Sequence, residues 1–302
     1  MAGLFAGALW GLVFVAPVWL PGYDAMEVAV GRFLACGMAG ALVLLWRQRR
    51  SQTRWQPAMR PLGAALALGF LGYIGYYALL VASIRQVGPV LPTLVIGTIP
   101  LALMVLGKPQ GLRWRALVPG LVLTAAGLGV MAFMPMPAAE APAEGSAGAW
   151  GGAFWVGLGL SVAAMVSWTV FSLWNARWLK AQGGYSAVAW ASWLAVGAGV
   201  GALLLAGVHG MNPLQWWERP DGLTFFLICG LTGVGAGWLA TVAWNVASRH
   251  LSPSLAGQLV VSETVFALVY AYLWFGRWPH PAEALACVLF VLGIVGSVRA
   301  HR

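Results

Sequence analysis

The stretch ATVAWNVASRHLSPSLAGQLVVSETVFALVYAYLWFG, residues 240–276, decides the fold of this chain. Almost all of it is apolar or small, and a single carboxylate, Glu263, lies in the middle of its second half. A second stretch, ALLVASIRQVGPVLPTLVIGTIPLALMVLG at 78–107, repeats its order of Val-Ala-Ser, then Arg, then Pro, then an apolar run. Only the later copy carries an acid within its apolar run. The chain therefore contains a doubled apolar module, and symmetry alone does not explain the charge in one copy.

The composition is that of a membrane protein. Of the 302 residues, 61% are hydrophobic and only 8% are charged, whereas soluble domains carry about 25% charged residues. Apolar runs of about 20 residues recur, each long enough to cross a hydrocarbon core of about 30 Å as an α-helix. A transmembrane β-barrel would instead show alternating segments of about ten residues. The sequence predicts an all-α polytopic membrane protein.

Ten membrane spans are predicted, with Pro and Gly at many of their ends. They fall near residues 3–20, 25–46, 62–84, 88–107, 114–134, 150–173, 186–207, 222–246, 254–275 and 279–299. With both termini inside, the inner segments hold 13 Lys and Arg residues and the outer loops hold 3, as the positive-inside rule requires. This bias predicts an N-in/C-in topology. It also explains the net charge of +9 as a signal beside anionic headgroups, so we expect no nucleic-acid partner.

A Pro/Ala/Glu-rich connector at 135–149, predicted to be periplasmic, divides the chain into halves 1–134 and 150–302. Each half has five predicted spans, so the second half enters the membrane from the opposite side and any repeat is inverted. The repeat extends to the ends of the halves, which read VLTAAGLGVM (122–131) and VLFVLGIVGSV (288–298). Inverted repeats are typical of alternating-access transporters that bind substrate near the midplane of the membrane.

Several segments resemble one family in order and spacing. They are ALWGLVF (8–14), Arg32-Phe33, SWTVF (167–171) and AWNVASRHLSP (243–253), together with the glycine-rich ends of spans 5 and 10. The chain is similar over nearly its whole length to the drug/metabolite transporter superfamily, in the ten-span form with two EamA-type domains. The resemblance implies a multi-pass protein of the bacterial inner membrane that exports amino acids and other small metabolites. The AWNVA segment and the richness in aromatic residues are most similar to the aromatic amino acid exporters.

The sequence departs from the family at one pair of positions. Members often have a Gly-Glu pair after spans 4 and 9, but this chain has Gly107-Lys108 and Gly276-Arg277 there. No role for that Glu is therefore carried over.

Glu263 is the first candidate site residue. A carboxyl group in the middle of a span costs several kcal/mol and indicates function, and burial favours its neutral form. It could bind a substrate ammonium group, relay a proton, or form a gating ion pair with Arg32 of span 2. The alternatives are a neutral, structural Glu263 bonded to Ser262 or a carbonyl group, and an Arg32 that reaches the outer headgroups.

Aromatic and polar residues recur at helical spacing on several spans and form the predicted substrate-binding set. A cavity for an aromatic substrate needs such walls and a few polar groups to orient the ligand. For any single aromatic residue, ordinary helix packing or lipid contact is the alternative. The set, with Glu263, is Trp10, Phe14, Tyr76, Tyr77, Trp168, Phe171, Trp238, Thr241 and Asn245.

Two backbone features are also predicted. Pro92, Gly97 and Pro100 interrupt span 4, either as a simple kink or as a broken helix with free carbonyl groups for substrate. Gly233 and Gly237 form a small-residue ridge that permits close helix approach.

The functional prediction is a secondary transporter that exports small metabolites by alternating access, with amino acids, and aromatic ones in particular, as substrates. Protons are the hypothesised coupling ion, membrane lipids surround the protein, no cofactor or metal is expected, and the expected state is a monomer or weak dimer. The first alternative is a lipid-linked sugar or drug flippase or exporter of the same superfamily. A remote alternative is an intramembrane enzyme. The sequence contains no nucleophile elbow and no metal-binding motif, which argues against this alternative. A passive channel is a further alternative.

Overall fold

A computed structural model describes residues 1–14, 19–50, 59–87, 90–108, 111–132, 152–181, 186–276 and 278–301. Within these ranges the chain is helical and contains no β-strand, which confirms the all-α prediction. The predicted connector at 135–149 lies outside the described residues.

Fourteen α-helices are described in these ranges, and several of them join into longer spans. In chain order they are α1 Ala2–Gly11, α2 Ala25–Arg50, α3 Met59–Gly69, α4 Tyr76–Val87, α5 Val90–Gly97, α6 Ile99–Leu106, α7 Trp114–Ala132, α8 Gly152–Ala181, α9 Ala187–Val208, α10 Gln215–Glu218, α11 Gly222–Thr232, α12 Ala240–His250, α13 Pro253–Phe275 and α14 Pro281–Ala300.

Seven helical segments of the described chain are long and apolar enough to cross a membrane. They are Ala25–Arg50, Leu62–Val87, Gly152–Ala181, Ala187–Val208, Gly222–His250, Pro253–Trp274 and Pro281–Ala300. Three shorter apolar helices, Ala2–Gly11, Val95–Leu106 and Trp114–Val130, lie where spans 1, 4 and 5 are predicted. The structure thus supports a polytopic helical protein, and the number of ten spans stays a prediction.

Helices α13 and α14 begin where the sequence supplies caps. The Ser252 hydroxyl accepts from the backbone N–H of Leu255, and Pro253 occupies the first turn of α13. At α14, His280 and Glu283 form a reciprocal capping box ahead of the helix. A polar cap before an N-terminal proline is the arrangement that starts a helix most readily. At its other end α13 stops at Gly276, whose φ of 60° suits glycine.

Two of the spans contain a wide, π-helical turn. Phe70–Gly75 joins α3 to α4, and Gly233–Leu239 joins α11 to α12. These segments lie in predicted spans 3 and 8, which occupy the same place in the two predicted halves. A π-turn inserts an extra residue into the helix and is frequent at functional sites.

The interruption predicted in span 4 is confirmed. Helix α5 ends at Gly97 and α6 begins at Ile99, with Thr98 between them. The Thr98 hydroxyl donates to the carbonyl oxygen of Val95 at 2.6 Å. The Thr98 backbone N–H also donates to this oxygen, at 3.1 Å, so the Val95 carbonyl is not left free for a substrate.

Helix α8 is longer than predicted. The sequence analysis ended span 6 at residue 173, but the helix continues to Ala181. The extension buries Asn175, Ala176 and Leu179 while Arg177 stays exposed. This amphipathic pattern holds the last two turns against the protein. The predicted end of span 6 therefore lies eight residues before the end of the helix, while the predicted inner side of Arg177 stays a prediction.

The chain divides into two compact units, each drawn from two segments. The first comprises Met1–Ile74 and Trp174–His250. In it, α2 packs along α9, α3 also contacts α9, and α1 packs on α12. An added Cβ on Gly37 would lie 2.7 Å from the Cα of Gly199, and one on Gly233 would lie 2.3 Å from the Arg32 carbonyl oxygen. The backbones therefore meet directly, and the close approach predicted for the Gly233 ridge is confirmed.

The second unit comprises Gly75–Leu173 and Leu251–Arg302. In it, α7 packs along α14, and α13 packs against both α6 and α14. Each unit therefore contains helices from both predicted halves of the sequence. Because compact units and sequence repeats are different divisions of a chain, the halves 1–134 and 150–302 stay predictions.

Candidate functional site

The predicted site residues are distributed over both units. Trp10, Arg32, Trp238, Thr241 and Asn245 belong to the first unit. The second unit holds Tyr76, Tyr77, Trp168, Phe171 and Glu263. The side chain of Phe14 lies outside the described residues. Since Arg32 and Glu263 belong to different units, their ion pair stays a prediction.

In the first unit a chain of contacts links Arg32 to Thr241. The Arg32 guanidinium lies 4.6 Å from the centroid of the Phe33 ring, and Phe33 meets Tyr73 edge to face at 5.8 Å. The Tyr73 and Thr241 hydroxyl groups are hydrogen-bonded. Because Thr241 donates to the Gly237 carbonyl at 2.6 Å, the Tyr73 phenol is the donor to Thr241. Tyr73 lies in the first π-helical segment and Gly237 in the second, so the two bonds of the Thr241 hydroxyl together link the two wide turns.

The two predicted tryptophans of this unit are anchored to neighbouring helices. Trp238 donates its indole N–H to the Ser192 hydroxyl of α9 at 3.0 Å. Trp10 packs against Trp244 of α12, with ring centroids 5.3 Å apart. Both predicted tryptophans are half-buried, so each keeps part of its ring surface available to a ligand.

A buried amide pair joins the end of α8 to α12. Asn175 donates to the Asn245 side-chain oxygen at 2.9 Å and accepts from the Trp190 indole at 2.7 Å. All three side chains are fully buried. The Asn245 amide nitrogen has no hydrogen-bond partner among the described residues. Asn245 and Thr241 are thus packed between helices in this conformation, and contact with a substrate requires those helices to separate.

We expect the Asn175–Asn245 bond to stabilise the first unit measurably. Interhelical hydrogen bonds in membrane proteins contribute from about 0.6 to about 1.7 kcal/mol. A double-mutant cycle of Asn175→Ala and Asn245→Ala, followed by reversible unfolding in detergent, should give a coupling energy of about 1 kcal/mol. Strictly additive costs in the double variant would show that the bond contributes nothing.

In the second unit Glu263 is half-buried on α13. The neighbouring Ser262 hydroxyl donates to the Leu259 carbonyl at 2.6 Å, so its proton is not given to the Glu263 carboxyl. On α8, Trp168 meets Phe171 edge to face with centroids 6.4 Å apart. Phe171 is 5% exposed, whereas Trp168, Tyr76 and Tyr77 are half-buried.

A buried amide on α13, Gln258, was not among the residues predicted from the sequence. Gln258 is fully buried and donates to the Thr124 hydroxyl of α7 at 2.9 Å. Its side-chain oxygen is buried with no hydrogen-bond partner in the described part of the chain. The signal was present, because an amide inside an apolar span is costly unless it is paired. α13 therefore carries a buried amide five residues before the carboxyl of Glu263.

A polar and aromatic cluster at the start of α2 was also missed. Glu27 accepts two hydrogen bonds from the Arg219 guanidinium, at 2.8 and 3.1 Å, and one from the Trp216 indole at 3.0 Å. Arg219 lies 4.8 Å from the centroid of Tyr23, which stacks on Phe225 at 4.3 Å. The pKa of Arg219 is raised, first because it donates to Glu27, so the pair stays ionised at neutral pH.

We expect Glu27→Ala to destabilise the protein more than Arg219→Ala. The Glu27 side chain is 15% exposed and Arg219 is 41% exposed. Without Glu27, the indole N–H of buried Trp216 loses its acceptor at a cost of about 2 kcal/mol, whereas an exposed cation contributes less than about 1 kcal/mol. Thermal unfolding of the two single variants tests the order. An equal loss of stability would contradict it.

The chain was compared with known proteins. The model of the EamA-like transporter family matches residues 155–299, almost all of the predicted second half. Inner membrane protein YtfF of Escherichia coli (strain K12) is 30% identical over 309 residues, covering 98% of this chain and 94% of that protein. A solved crystal structure, 19% identical, superposes on 100% of this chain and 98% of its own with a TM-score of 0.75. At that identity the structure shows a shared fold alone.

Proposed function

This chain belongs to the EamA-like transporter family of the drug/metabolite transporter superfamily, and from that membership we propose that it exports amino acids, aromatic ones in particular, by alternating access. It is a multi-pass protein of the inner membrane. Its relatives are transporters at the family level, which favours transport over the intramembrane enzyme considered above. Family membership alone does not determine the substrate class, the direction of transport or the coupling ion, and these three are proposed here.

The observation that carries the proposal is the position of Glu263. It is the eleventh residue of the 23-residue helix α13, so it lies about 15–18 Å along the axis from each end. That depth is near the middle of a hydrocarbon core of about 30 Å. Because the side chain is half-buried, a ligand can reach it. A carboxyl at this depth suits a substrate ammonium group or an exchangeable proton.

The backbone supports a conformational cycle. The boundary between the two compact units falls between Ile74 and Gly75, inside the π-helical segment Phe70–Gly75. Wide helical turns are places where a span changes direction without losing all of its hydrogen bonds. The Tyr73–Thr241 bond ties this turn to α12. We propose that the Phe70–Gly75 turn acts as a hinge in alternating access.

The aromatic residues of α8 support an aromatic substrate. Trp168 and Phe171 are on one face of the helix and meet edge to face, the geometry in which aromatic rings attract each other. Trp168 is half-buried, so an added ring can pack on it. Glu263 belongs to the same unit and supplies the polar group that an amino acid requires.

A thermal-shift screen of the purified protein against amino acids tests the substrate class. At a ligand concentration ten times Kd, binding adds about 1.4 kcal/mol, and we expect phenylalanine or tryptophan to raise Tm by about 3 °C. Glu263→Gln and Trp168→Ala should lose the shift. Trp155→Ala is the matched control, because Trp155 lies on the same helix with 57% of its surface exposed, and it should keep the shift.

Two results would count against the proposal. The absence of a shift with every amino acid would remove the substrate class. A shift that persists in Glu263→Gln would remove the role assigned to that carboxyl.

A further inference from the structure

An open apolar groove of about 880 Å³ lies within the first unit, on α3, the end of α8, and α9. Leu66 lines it from α3 and Leu71 from the π-helical segment that follows α3, while Val200 and Leu204 line it from α9. Its volume is within the range of about 300–1,000 Å³ typical of small-molecule sites. None of the substrate-binding residues predicted from the sequence lines this groove.

The groove opens toward the surface that faces lipid. Phe70, Val200 and Leu204 line it and are 47%, 47% and 60% exposed. Its lining on α9 runs from Gly197, about 15 Å from the start of that helix, to Leu204, about 10 Å further along the axis. The groove therefore extends from the end of α8 past the middle of a hydrocarbon core of about 30 Å. An acyl chain is the apolar ligand that a membrane supplies in this position.

One end of the groove is polar and positively charged. Arg177 lines it and is exposed, and it makes no hydrogen bond or ion pair within the described part of the chain. Beside it, the Trp178 ring stacks on Trp190 at 5.5 Å. The Trp178 indole N–H is buried with no acceptor among the described residues. A guanidinium and an indole N–H are the donors that a phosphate and a neighbouring ester carbonyl require.

We propose that this groove binds one anionic phospholipid, with an acyl chain along α9 and the headgroup phosphate on Arg177. The exposed Trp174 at the rim is of the residue type that anchors at the membrane interface. The predicted topology places Arg177 on the cytoplasmic side, where anionic lipids attract basic residues. Charge complementarity thus selects an anionic lipid over a zwitterionic one.

Native mass spectrometry in a mild detergent tests this site. Phosphatidylglycerol and phosphatidylethanolamine with identical acyl chains are titrated separately, and glycerol phosphate is added as a competitor without acyl chains. We expect one phosphatidylglycerol to bind more tightly than phosphatidylethanolamine. Arg177→Gln should raise the apparent Kd for phosphatidylglycerol roughly fivefold, the contribution of one basic residue near an anionic headgroup. Arg115→Gln, at another exposed Arg outside the groove, should leave Kd unchanged.

A second variant tests the apolar part independently. Ala67 lines the groove and is exposed, so Ala67→Phe fills the groove without displacing a buried side chain and should abolish binding of both lipids. Ala163→Phe, at an exposed alanine of α8 outside the groove, should not. Unchanged lipid affinity in both Arg177→Gln and Ala67→Phe would overturn the proposal. Displacement of the lipid by glycerol phosphate at equal concentration would also overturn it. So would the finding that the groove binds a second copy of the protein and no lipid, seen as a dimer that Ala67→Phe dissociates.

Discussion

Replacing Glu263 with Gln is expected to lower proton-gradient-driven transport in proteoliposomes at least tenfold. The carboxyl lies near the middle of α13, about 15–18 Å from each end of the helix. In the membrane interior a carboxyl is most stable when neutral, and its charged form requires a partner. Gln has the same size and forms hydrogen bonds, but it cannot release a proton. The substitution therefore removes exchange of the proton while it keeps the packing.

The measurement is the initial rate of labelled amino acid transport with and without an imposed pH gradient. The parent protein should respond to the gradient, and Glu263→Gln should give the same low rate in both conditions. Glu218→Gln is the matched control, because Glu218 is exposed on the short helix α10, and it should behave as the parent does. A Glu263→Gln variant that still responds to the gradient would remove this carboxyl from coupling.

Substitution of Gly37 with Leu is expected to lower Tm by about 10 °C. A Cβ on Gly37 would lie 2.7 Å from the Cα of Gly199 and 3.3 Å from the Ala195 carbonyl oxygen. Because the nearest atoms belong to the backbone of α9, no side-chain rotation relieves the clash. Overpacking of this kind costs about 3 kcal/mol or more, which corresponds to a shift of this size for a protein of this class.

Gly159→Leu is the control for the glycine substitution. Gly159 lies within α8, and an added Cβ there would meet no atom within 4 Å. The same change in sequence should therefore leave Tm within about 2 °C of the parent. If both variants unfold at the same temperature, direct backbone contact between α2 and α9 does not determine stability.

The sequence predicts those features that depend on local chemistry. Continuous apolar runs predict long helices, and the Pro and Gly residues between the runs predict where many of them end. Gly97 and the prolines around it predict the interruption at Thr98. Each of these signals is contained within a few consecutive residues.

Other features depend on residues distant in sequence and were not predictable in this way. Helical spacing placed Asn245 in the predicted set, but it could not indicate that Asn245 binds Asn175. The π-helical segments have no distinctive residue composition, because a wider turn with one extra residue does not require particular residue types. The Glu27–Arg219 pair joins positions 192 residues apart. No pattern in the sequence links these two positions.

The candidate site shows the same limit. Burial of Thr241 and Asn245 depends on which helices pack around them, and the sequence favoured an open cavity wall. Glu263 stood out because a carboxyl in an apolar span is unusual whatever its neighbours are. The single charged residue was therefore a stronger signal than any of the aromatic ones.

Counterflow in proteoliposomes distinguishes an alternating-access carrier for aromatic amino acids from a passive pore. Vesicles preloaded with unlabelled phenylalanine or tryptophan are diluted into a trace of the labelled amino acid, without any ion gradient. An alternating-access carrier for these substrates should accumulate label transiently above its external concentration, and vesicles without preload should not. Equal, non-saturable entry of label with and without preload would contradict the account, because it would indicate a passive pore or a different substrate.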